Sequence, residues 1–532
     1  MKGRTWMAIA TVMALMLVSG LVFAGAQREA ATVDYGTPGE FPLRNTLVVD
    51  GGVNMIGGRS GMPRYDLSQN SIYQAYEEKT NVRVNWSYIE SEEQRSVLFA
   101  ADDYPDFVVA DGLWTPFITR WMDEGIVRDL APYFGQGFTP NLDRLWSTYP
   151  EVYSYMLTPD GTFGGVPNLR MLKSHYLEQN FMINQVWLDR LGLDTPTTIS
   201  ELKDVLIAFR DGDPRQSGRR DELPFGFIHG DGFAQHLMSL AGWWGLVFKE
   251  PVAFRDDGTA FFAPTDPAYR EFIEFMADLY AEGLIDPESF TQGRPEFDAK
   301  VDADGGSYYG FIIAVRGYMG TPGRDEFVSV SPMQVPGREA GIWLHPGWMG
   351  TKAGFFLTDK APEPEILLSW WDGRMTFENS VEALHGPIGE GVLMQNGMYV
   401  PNPDKDIEWI QRHQAIFFPF VLEAQDYGTR YALDPSTQYL DDNFEQYYAD
   451  YVTLNQWQRP ELSAADIRRL QEISPDIRSL WKTNEARWIS GRGSVTAEWD
   501  AYIAQTERLN VQDKLDIYEA AHRRFMMGTD LD

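Results

Sequence analysis

The sequence predicts an α/β protein with two lobes and a helical C-terminal tail. Apolar runs of strand character alternate with amphipathic segments along most of the chain, which is typical of a mostly parallel sheet covered by helices. The chain has 532 residues, and at roughly 100–200 residues per domain this length suits about two to four domains or one large two-lobed unit. Beyond residue 460 the composition becomes strongly helical, over 462–487 and 496–525.

The first elements are short and alternate between strand and helix. The apolar run at 47–49 predicts a strand that ends in the loop Asp50-Gly51-Gly52. Apolar residues at helical spacing predict a helix over 71–79. Alternating apolar residues then predict a strand over 82–86, and the apolar run at 107–110 predicts another.

The clearest later helix is predicted over 268–282, where apolar residues follow the stripe of an amphipathic helix. Gly283 stands where a left-handed residue would end that helix. The apolar run at 311–315 predicts a buried strand. No internal repeat with a period of about 20–50 residues is present, which argues against a solenoid or propeller.

Composition and charge exclude several classes of protein. Asp and Glu number 77 against 45 Lys and Arg, a formal net charge of -32, and a surface of this sign repels phosphate backbones and anionic headgroups. Nucleic acid and membrane surfaces are therefore not expected as partners. The absence of cysteine excludes disulfides, thiolate metal sites and cysteine nucleophiles. The aromatic share of 14% indicates sizeable cores.

The N-terminus predicts export. Two basic residues precede an apolar run over 6–23, and Ala24-Gly25-Ala26 supplies the small residues after which a signal peptidase cleaves. We expect residues 1–26 to be a cleavable signal peptide and residues 27–44 to be a flexible leader. A single N-terminal membrane anchor is the alternative. Without a cysteine after the cleavage site no lipid anchor is expected, and the expected location is the periplasm.

One loop carries the pattern of a metal site, whereas the common signatures of hydrolases, zinc proteases, P-loops and dinucleotide-binding folds are absent. The segment 213–222 spaces oxygen-bearing residues as an EF-hand-like calcium loop does, with Gly218 at the sharp turn. The candidate ligands are Asp213, Ser217, Arg219 through its carbonyl group, Asp221 and Glu222. Arg215 stands at the third position and cannot donate an oxygen. A polar turn joined by Arg–carboxylate pairs is the alternative to a metal site.

Several blocks of sequence occur in a characteristic order between about residues 45 and 525. They are 104–106, 123–130, 160–167, 186–198, 213–224, 279–287 and 499–521. In this order they resemble the family 1 extracellular solute-binding proteins of bacterial ABC importers. The resemblance is narrower to the branch that contains the alginate-oligosaccharide-binding and LipO-type proteins.

The resemblance implies a type II-like, two-lobed periplasmic-binding-protein fold whose chain crosses between the lobes three times. The expected lobes are 45–165 plus 340–378, and 166–339 plus 379–532. The expected crossings lie near 165–167, 336–342 and 374–382. In this family the calcium-like loop is structural and lies away from the ligand, so a structural Ca²⁺ is the one cofactor to consider.

The resemblance also implies a ligand in the cleft between the lobes. A sugar has apolar C–H faces for aromatic rings and a rim of hydroxyl groups for polar side chains. The aromatic candidates are tryptophans in Gly-rich segments, namely Trp114, Trp243, Trp244 and Trp348. The polar candidates stand near predicted strand ends or crossings, where open α/β sheets bind ligands, namely Asp111, Asn168, Arg170, Tyr176, Arg316 and Glu390. Ordinary core packing is the alternative for each tryptophan.

The expected function is non-catalytic capture of an oligosaccharide and its delivery to the transmembrane subunits of an ABC permease by a monomeric protein. A carboxylated sugar is one option, because Arg170 and Arg316 are among the candidates. Two alternatives stay open at this point. One is a secreted glycan hydrolase or lyase, and the other is the same fold binding a peptide or another polar solute.

Overall fold

The computed structural model describes residues 33–56, 63–109, 115–172, 174, 177, 180–229, 236–248, 250–314, 321–344, 351–433, 435–453 and 460–529. Two large β-sheets with helices packed on them organise this part of the chain, which confirms the α/β prediction. We call the six-stranded sheet with its helices lobe 1, and the four-stranded sheet with its helices lobe 2. None of the helices in these ranges is long and apolar enough to cross a membrane.

Lobe 1 contains a mixed six-stranded sheet. Its strands are β1 (Leu47–Asn54), β2 (Val82–Ile89), β3 (Phe107–Val109), β4 (Val166–Arg170), β11 (Thr351–Leu357) and β14 (Val421–Leu422). Their order is β14-β4-β11-β3-β1-β2. Strand β11 is antiparallel to β3 and β4, and the other neighbouring pairs are parallel.

Lobe 2 contains a four-stranded sheet. Its strands are β5 (Asn180–Asn184), β6 (Leu223–Gly226), β9 (Tyr309–Ala314) and β10 (Phe327–Ser329). Their order is β10-β5-β9-β6, with β5 antiparallel to both of its neighbours and β6 parallel to β9. Two hairpins complete the strands, β7 (Val252–Phe254) with β8 (Ala260–Phe262), and β12 (Val392–Gln395) with β13 (Met398–Pro401).

The helices cover the two sheets. In lobe 1 they are α1 (Ser71–Thr80), α2 (Glu92–Ala100), α3 (Thr115–Asp123), α4 (Pro140–Thr148), α5 (Pro150–Met156), α12 (Pro364–Asp372), α13 (Phe377–His385) and α14 (Ile407–His413). In lobe 2 they are α6 (Gln185–Leu191), α7 (Ile199–Asp211), α8 (His236–Ala241), α9 (Pro267–Ala281), α10 (Arg294–Val301), α11 (Thr321–Glu326) and α15 (Pro435–Tyr447). The tail consists of α16 (Ala464–Ile489), α17 (Val495–Glu507) and α18 (Val511–Thr529).

Helices with strong local signals form where the sequence predicts them. Asn70 caps α1 by accepting a hydrogen bond from the Ile72 N–H at 2.9 Å. Helix α9 buries the stripe that includes Phe272 and Met276, and Gly283 follows with a φ of +70°. The predicted segment 496–525 instead forms two helices, because Asn510 adopts a left-handed conformation with a φ of +56° between them.

Strand β1 extends further than the sequence predicts. Its Gly51 and Gly52 belong to the strand, although two consecutive glycines usually indicate a turn. A Cβ atom on Gly51 would lie 2.7 Å from the Phe107 ring, and one on Gly52 would lie 2.7 Å from Pro105. These glycines therefore allow β3 and its approach to pack closely on β1, and the strand continues to Asn54.

The first and third passages between the lobes lie later than the sequence predicts, whereas the predicted second crossing at 336–342 falls within the passage between β10 and β11. The chain leaves lobe 1 after β4, returns to it before β11, and leaves it again after β14. The predicted lobe 2 included β4 and β14, whereas both pair within the sheet of lobe 1. Their pairing partners are distant in sequence, so no local pattern revealed them. The exact residue boundaries of the lobes stay a prediction. The pairing of β4 and β14 places the first boundary after Arg170 and the last after Leu422.

The tail joins the two lobes. Helix α16 packs in the main core of lobe 2 through Ile473, Ile477 and Trp481. Helix α18 reaches the core of lobe 1, where the Phe525 ring lies edge-on to Tyr155 with 6.4 Å between ring centroids. These packed helices limit how the lobes can move relative to each other.

Candidate binding site between the lobes

The strand directions show which edges of the two sheets face each other. In lobe 1, β1, β2, β3, β4 and β14 all end at one edge, and β11 begins there. In lobe 2, β6, β9 and β10 end at one edge, and β5 begins there. The first two passages join these two edges, because β4 ends and β11 begins at the edge of lobe 1, while β5 begins and β10 ends at the edge of lobe 2; the third passage leaves the same edge of lobe 1 after β14 and leads to α15. We call them the facing edges, and this is where open α/β sheets hold ligands.

The facing edge of lobe 1 carries buried polar atoms that lack a well-formed hydrogen bond within the protein. Among the described residues, the Asn54 Oδ1, the Arg170 Nε and the Tyr427 hydroxyl are buried atoms that make no hydrogen bond. Asn54 and Arg170 are the last residues of β1 and β4, and Tyr427 follows β14. Burial raises the pKa of Tyr427, and the nearby Arg170 guanidinium acts in the opposite direction. Arg170 and Tyr427 lie next to each other at this edge, and a buried polar atom without a well-formed hydrogen bond costs about 1–3 kcal/mol, so both groups have bonding capacity left for a ligand or water.

The carboxylates close to Arg170 already have partners. Glu423 accepts hydrogen bonds from the Arg144 guanidinium and from the Tyr149 hydroxyl, each at 2.7 Å. Asp426 accepts from the Glu423 backbone N–H at 2.9 Å and pairs with Arg430 at 3.3 Å. Since these acids are occupied, the positive charge of Arg170 is not neutralised by them.

The facing edge of lobe 2 is supported by a buried hydrogen-bond network. His229 follows β6, and its Nε2 lies 2.7 Å from the Glu485 carboxylate of α16. The Tyr269 hydroxyl donates to the same carboxylate and accepts from the Trp481 indole N–H at 2.7 Å. Burial favours a raised pKa for Glu485, but Lys482 and His229 outweigh it and lower the pKa to about 2. The network fixes His229 at the edge where the chain continues into 230–235.

Five of the predicted ligand residues lie outside the described residues. They are Asp111, Trp114, Tyr176, Arg316 and Trp348. In sequence, the first two directly follow β3, and Arg316 directly follows β9. Their contribution to a binding site stays a prediction.

The other five predicted ligand residues do not come together. Arg170 lies at the facing edge of lobe 1, as described. Asn168 is buried within β4, where its Oδ1 accepts from the Phe420 N–H at 3.3 Å, so its side chain holds β14 against the sheet. Glu390 is exposed in the turn before β12.

Trp243 and Trp244 are buried in the core of lobe 2. The Trp243 ring meets Phe181 edge-on at a centroid distance of 4.9 Å, and the Trp244 ring lies 5.2 Å from Phe272. A Cβ atom on Gly242 would lie 2.2 Å from the Gly341 carbonyl oxygen. Gly242 therefore allows two backbone segments to pack closely. Both tryptophans are packed in the core, which the sequence analysis gave as the alternative to ligand binding.

Sequence reasoning missed Asn54 and Tyr427. The rule that selected Asp111, a polar residue at the end of a strand, would also have selected Asn54 if β1 had been predicted at its full length. Tyr427 had no such signal, because β14 is two residues long and pairs with a strand about 250 positions away in the sequence.

The candidate calcium loop is held together by its own side chains. Both Asp213 carboxylate oxygens accept backbone N–H groups, from Ser217 at 2.9 Å and from Gly218 at 3.1 Å. The Ser217 hydroxyl donates to the Asp221 carboxylate at 3.0 Å. The Arg215 guanidinium pairs with that same carboxylate, with 3.0 Å between Nη1 and Oδ1.

The residues of this loop do not fit a calcium ion. Among the described residues no group of three or more acidic or histidine side chains is placed to hold a metal. Calcium takes about six to eight oxygen ligands at roughly 2.3–2.6 Å, whereas Arg215 brings a positive charge to the position of a ligand. Glu222 is buried with both carboxylate oxygens unpartnered among the described residues, and burial followed by repulsion from Asp213 and Asp221 raises its pKa. Asp213 is engaged by backbone N–H groups and Asp221 by Ser217 and Arg215, so these two acids are not free to join Glu222 in holding a cation.

Two mixed sheets joined by three passages form the two-lobed fold seen in solute-binding proteins. Solved structures share this fold. The chain superposes with a TM-score of 0.76 on the substrate-binding protein FusA of Streptococcus pneumoniae in complex with kestose, at 22% identity over 90% of this chain and 99% of that one. It superposes with a TM-score of 0.78 on an HMO-binding solute-binding protein of Bifidobacterium longum infantis, at 20% identity over 90% of this chain and 99% of that one.

Relatives found by sequence are ABC transporter substrate-binding proteins, which confirms the resemblance. The fructooligosaccharide ABC transporter substrate-binding protein FusA of Streptococcus pneumoniae is 24% identical over 546 residues, covering 99% of each chain. The polygalacturonan/rhamnogalacturonan-binding protein YtcQ of Bacillus subtilis is 26% identical over 234 residues, which cover 41% of this chain and 44% of YtcQ. No protein-family model matches the chain. A solved FusA variant is described as an EF-hand mutant, so that relative contains an EF-hand.

Proposed function

We propose that this protein is the substrate-binding subunit of an ABC importer and that it captures an oligosaccharide between its lobes. The observation that carries the proposal is the match to a fructooligosaccharide-binding relative over 99% of both chains, since such a match covers both lobes and all three passages. Fructooligosaccharides are therefore the first ligands to try. We further propose that the protein is exported to the periplasm and works as a monomer with a membrane permease.

The facing edge of lobe 1 supplies suitable chemistry for a sugar. The Arg170 guanidinium presents fixed N–H donors that suit either vicinal hydroxyl groups or a sugar carboxylate. The Tyr427 hydroxyl adds a group that can donate and accept next to Arg170, and the Asn54 amide oxygen adds an acceptor three strands away along the same edge. We propose that these groups satisfy part of a ligand's polar rim. The residues Asp111, Trp114, Tyr176, Arg316 and Trp348 stay candidates for the remaining contacts.

We propose that binding leaves the ligand chemically unchanged. The relatives found in the comparisons are binding proteins. The buried carboxylate best defined in the described part of the chain, Glu485, is held ionised by Lys482 and His229 and lies in the core of lobe 2, so it is unsuited to donate a proton to a glycosidic oxygen. Closure of the lobes would then exclude water and present a joined surface to the permease.

The role of Arg170 can be tested by calorimetric titration with kestose, a human milk oligosaccharide mixture and alginate oligosaccharides. We expect one of these classes to bind, and we expect Arg170→Ala to weaken that binding by about ten- to a hundredfold, because a charge-assisted contact is lost. Arg83→Ala is the matched control. Arg83 lies near the opposite end of the same sheet, in β2, and pairs with Glu77 at 2.7 Å.

The outcomes of this titration are distinct. Equal affinity for the Arg170 and Arg83 variants would remove Arg170 from the proposed site. Failure of the unaltered protein to bind any oligosaccharide in the panel would instead contradict the proposed ligand class.

A further inference from the structure

The loop 213–222 joins lobe 2 through the side chain of Arg215. Its guanidinium lies within the loop, 3.0 Å from the Asp221 carboxylate, and its side chain is 8% exposed. The same group stacks on the Tyr308 ring, with 3.7 Å between the guanidinium carbon and the ring centroid. Its Nη2 also donates to the Gly306 carbonyl oxygen at 3.4 Å. Arg215 thus links the start of the loop, its end and the segment that leads into β9.

We propose that the Arg215 guanidinium replaces the metal ion of an EF-hand-like loop, so that this loop folds without calcium. The third position of such a loop normally supplies an oxygen ligand. Here it supplies a permanent positive charge that reaches the carboxylate at the ninth position. The guanidinium therefore makes the cross-loop connection that the ion would otherwise make.

The neighbouring groups agree with this role. The Ser217 hydroxyl, at the fifth position, donates to the Asp221 carboxylate and is not directed as a ligand. The Arg219 backbone N–H donates to the Ser217 hydroxyl oxygen at 3.1 Å, which closes the turn from inside. A divalent cation bound to Asp221 would lie beside the guanidinium, and the repulsion between the two charges would oppose its binding.

The packing around Arg215 explains why the side chain stays in place. The Tyr308 ring covers one face of the guanidinium, and stacking of this kind is favourable for arginine. The Leu223 N–H donates to the Tyr308 carbonyl oxygen at 2.8 Å, so the loop's exit is fixed to the same segment. Removal of the Arg215 side chain would break its stacking on Tyr308 and its pair with Asp221 together, while the Leu223–Tyr308 backbone bond would stay.

The proposal is tested by thermal unfolding of the full-length protein in EDTA and in calcium chloride. We expect the unaltered protein to have the same Tm in both. We expect Arg215→Asn to lower the Tm in EDTA by several degrees and to regain a large part of it in calcium, because asparagine restores an oxygen at the third position. Arg220→Asn is the matched control, since its side chain is exposed in the same loop and is expected to change neither value.

Each result decides the question independently of the ligand proposed above. A Tm that rises with calcium in the unaltered protein, or calorimetric binding of one calcium ion to it, would overturn the proposal. If Arg215→Asn does not fold, Arg215→Lys provides the second test. It keeps the charge but loses the planar fork and the stacking, so a lowered Tm that calcium does not restore is expected, and a calcium-restored Tm would contradict the proposal.

Discussion

Each lobe buries a carboxylate among aromatic side chains, and the two behave in opposite ways. Burial raises the pKa of Asp372 in lobe 1 to about 6, although hydrogen bonds from Leu142 and Asn141 oppose the change. Burial acts in the same direction on Glu485 in lobe 2, but Lys482 and His229 lower its pKa to about 2. Both carboxylates lie near aromatic rings, so the difference comes from the Lys482 charge and the hydrogen bond with His229 beside Glu485.

The difference shows what each carboxylate does for its lobe. Asp372 accepts hydrogen bonds from the Asn141 side chain at 3.0 Å and from the Leu142 N–H at 2.8 Å, so it joins the end of α12 to the start of α4. Glu485 joins α16 to α9 and to His229 at the facing edge. Lobe 1 uses a carboxylate to cap a helix, whereas lobe 2 uses one to hold its binding edge against the C-terminal tail.

The comparison of the two carboxylates requires that the aromatic cores of the two lobes are equally well packed. Replacing one buried tryptophan in each lobe tests this. Trp243→Ala in lobe 2 and Trp370→Ala in lobe 1 should each lower the free energy of unfolding by about 3–5 kcal/mol, because each removes a fully buried indole. Urea unfolding measures both. Trp409→Ala is the control, since that ring stacks on His413 near the surface and should cost less than about 1 kcal/mol. A Trp243 variant with normal stability and lost ligand binding would contradict its place in the core.

The second test replaces the carboxylates themselves. Glu485→Gln should lower the free energy of unfolding by about 2–3 kcal/mol, because the amide leaves the Lys482 ammonium without its counter-charge and disturbs the hydrogen bonds with His229 and Tyr269. Asp372→Asn should cost about 1 kcal/mol, because no cation depends on it. Equal losses in the two variants would show that the cations do not distinguish the lobes.

The pH dependence of unfolding is the third test of the comparison. The pKa of Glu485 is lowered from 4.5 to about 2, so its contribution is present above 4.5 and is lost as the pH falls toward 2. The pKa of Asp372 is raised from 3.8 to about 6, so its contribution is complete below 3.8 and is lost as the pH rises through 6. Each shift corresponds to about 1.4 kcal/mol per pKa unit before solvent screening.

Urea titrations at several pH values would separate these two contributions. Glu485→Gln should flatten the acid side of the profile, and Asp372→Asn should flatten the change near pH 6. The opposite assignment, with Glu485→Gln acting near neutrality, would show that the cations do not control its protonation.

The sequence predicts those parts of the fold that depend on neighbours in the chain. Helices α1 and α9 form at the predicted positions because their apolar spacing and their end residues lie within one short segment. The resemblance supplied the two-lobed class because its blocks extend over nearly the whole chain. Strand β14 was missed, because it forms by pairing Val421 with Leu169, a residue far away in the sequence, and no local pattern indicates this pairing.

The candidate site was harder to predict for the same physical reason. Gly242 and Gly245 around the tryptophan pair suggested an open loop, whereas Gly242 allows a close backbone contact in a packed core. Glycine indicates an unusual backbone path or a close approach, and it does not distinguish solvent from core. Arg170 does lie at a strand end, as the sequence predicts, and its role in binding stays a proposal.

The central claim is that the protein holds an oligosaccharide between its lobes and releases it unchanged. Native mass spectrometry of the protein with the tightest-binding oligosaccharide, followed by denaturation and chromatography of the released sugar, tests this directly. We expect one intact oligosaccharide per protein chain. The account would be contradicted if shorter sugars appeared in molar excess over the protein. It would also be contradicted if no oligosaccharide formed a complex with the protein.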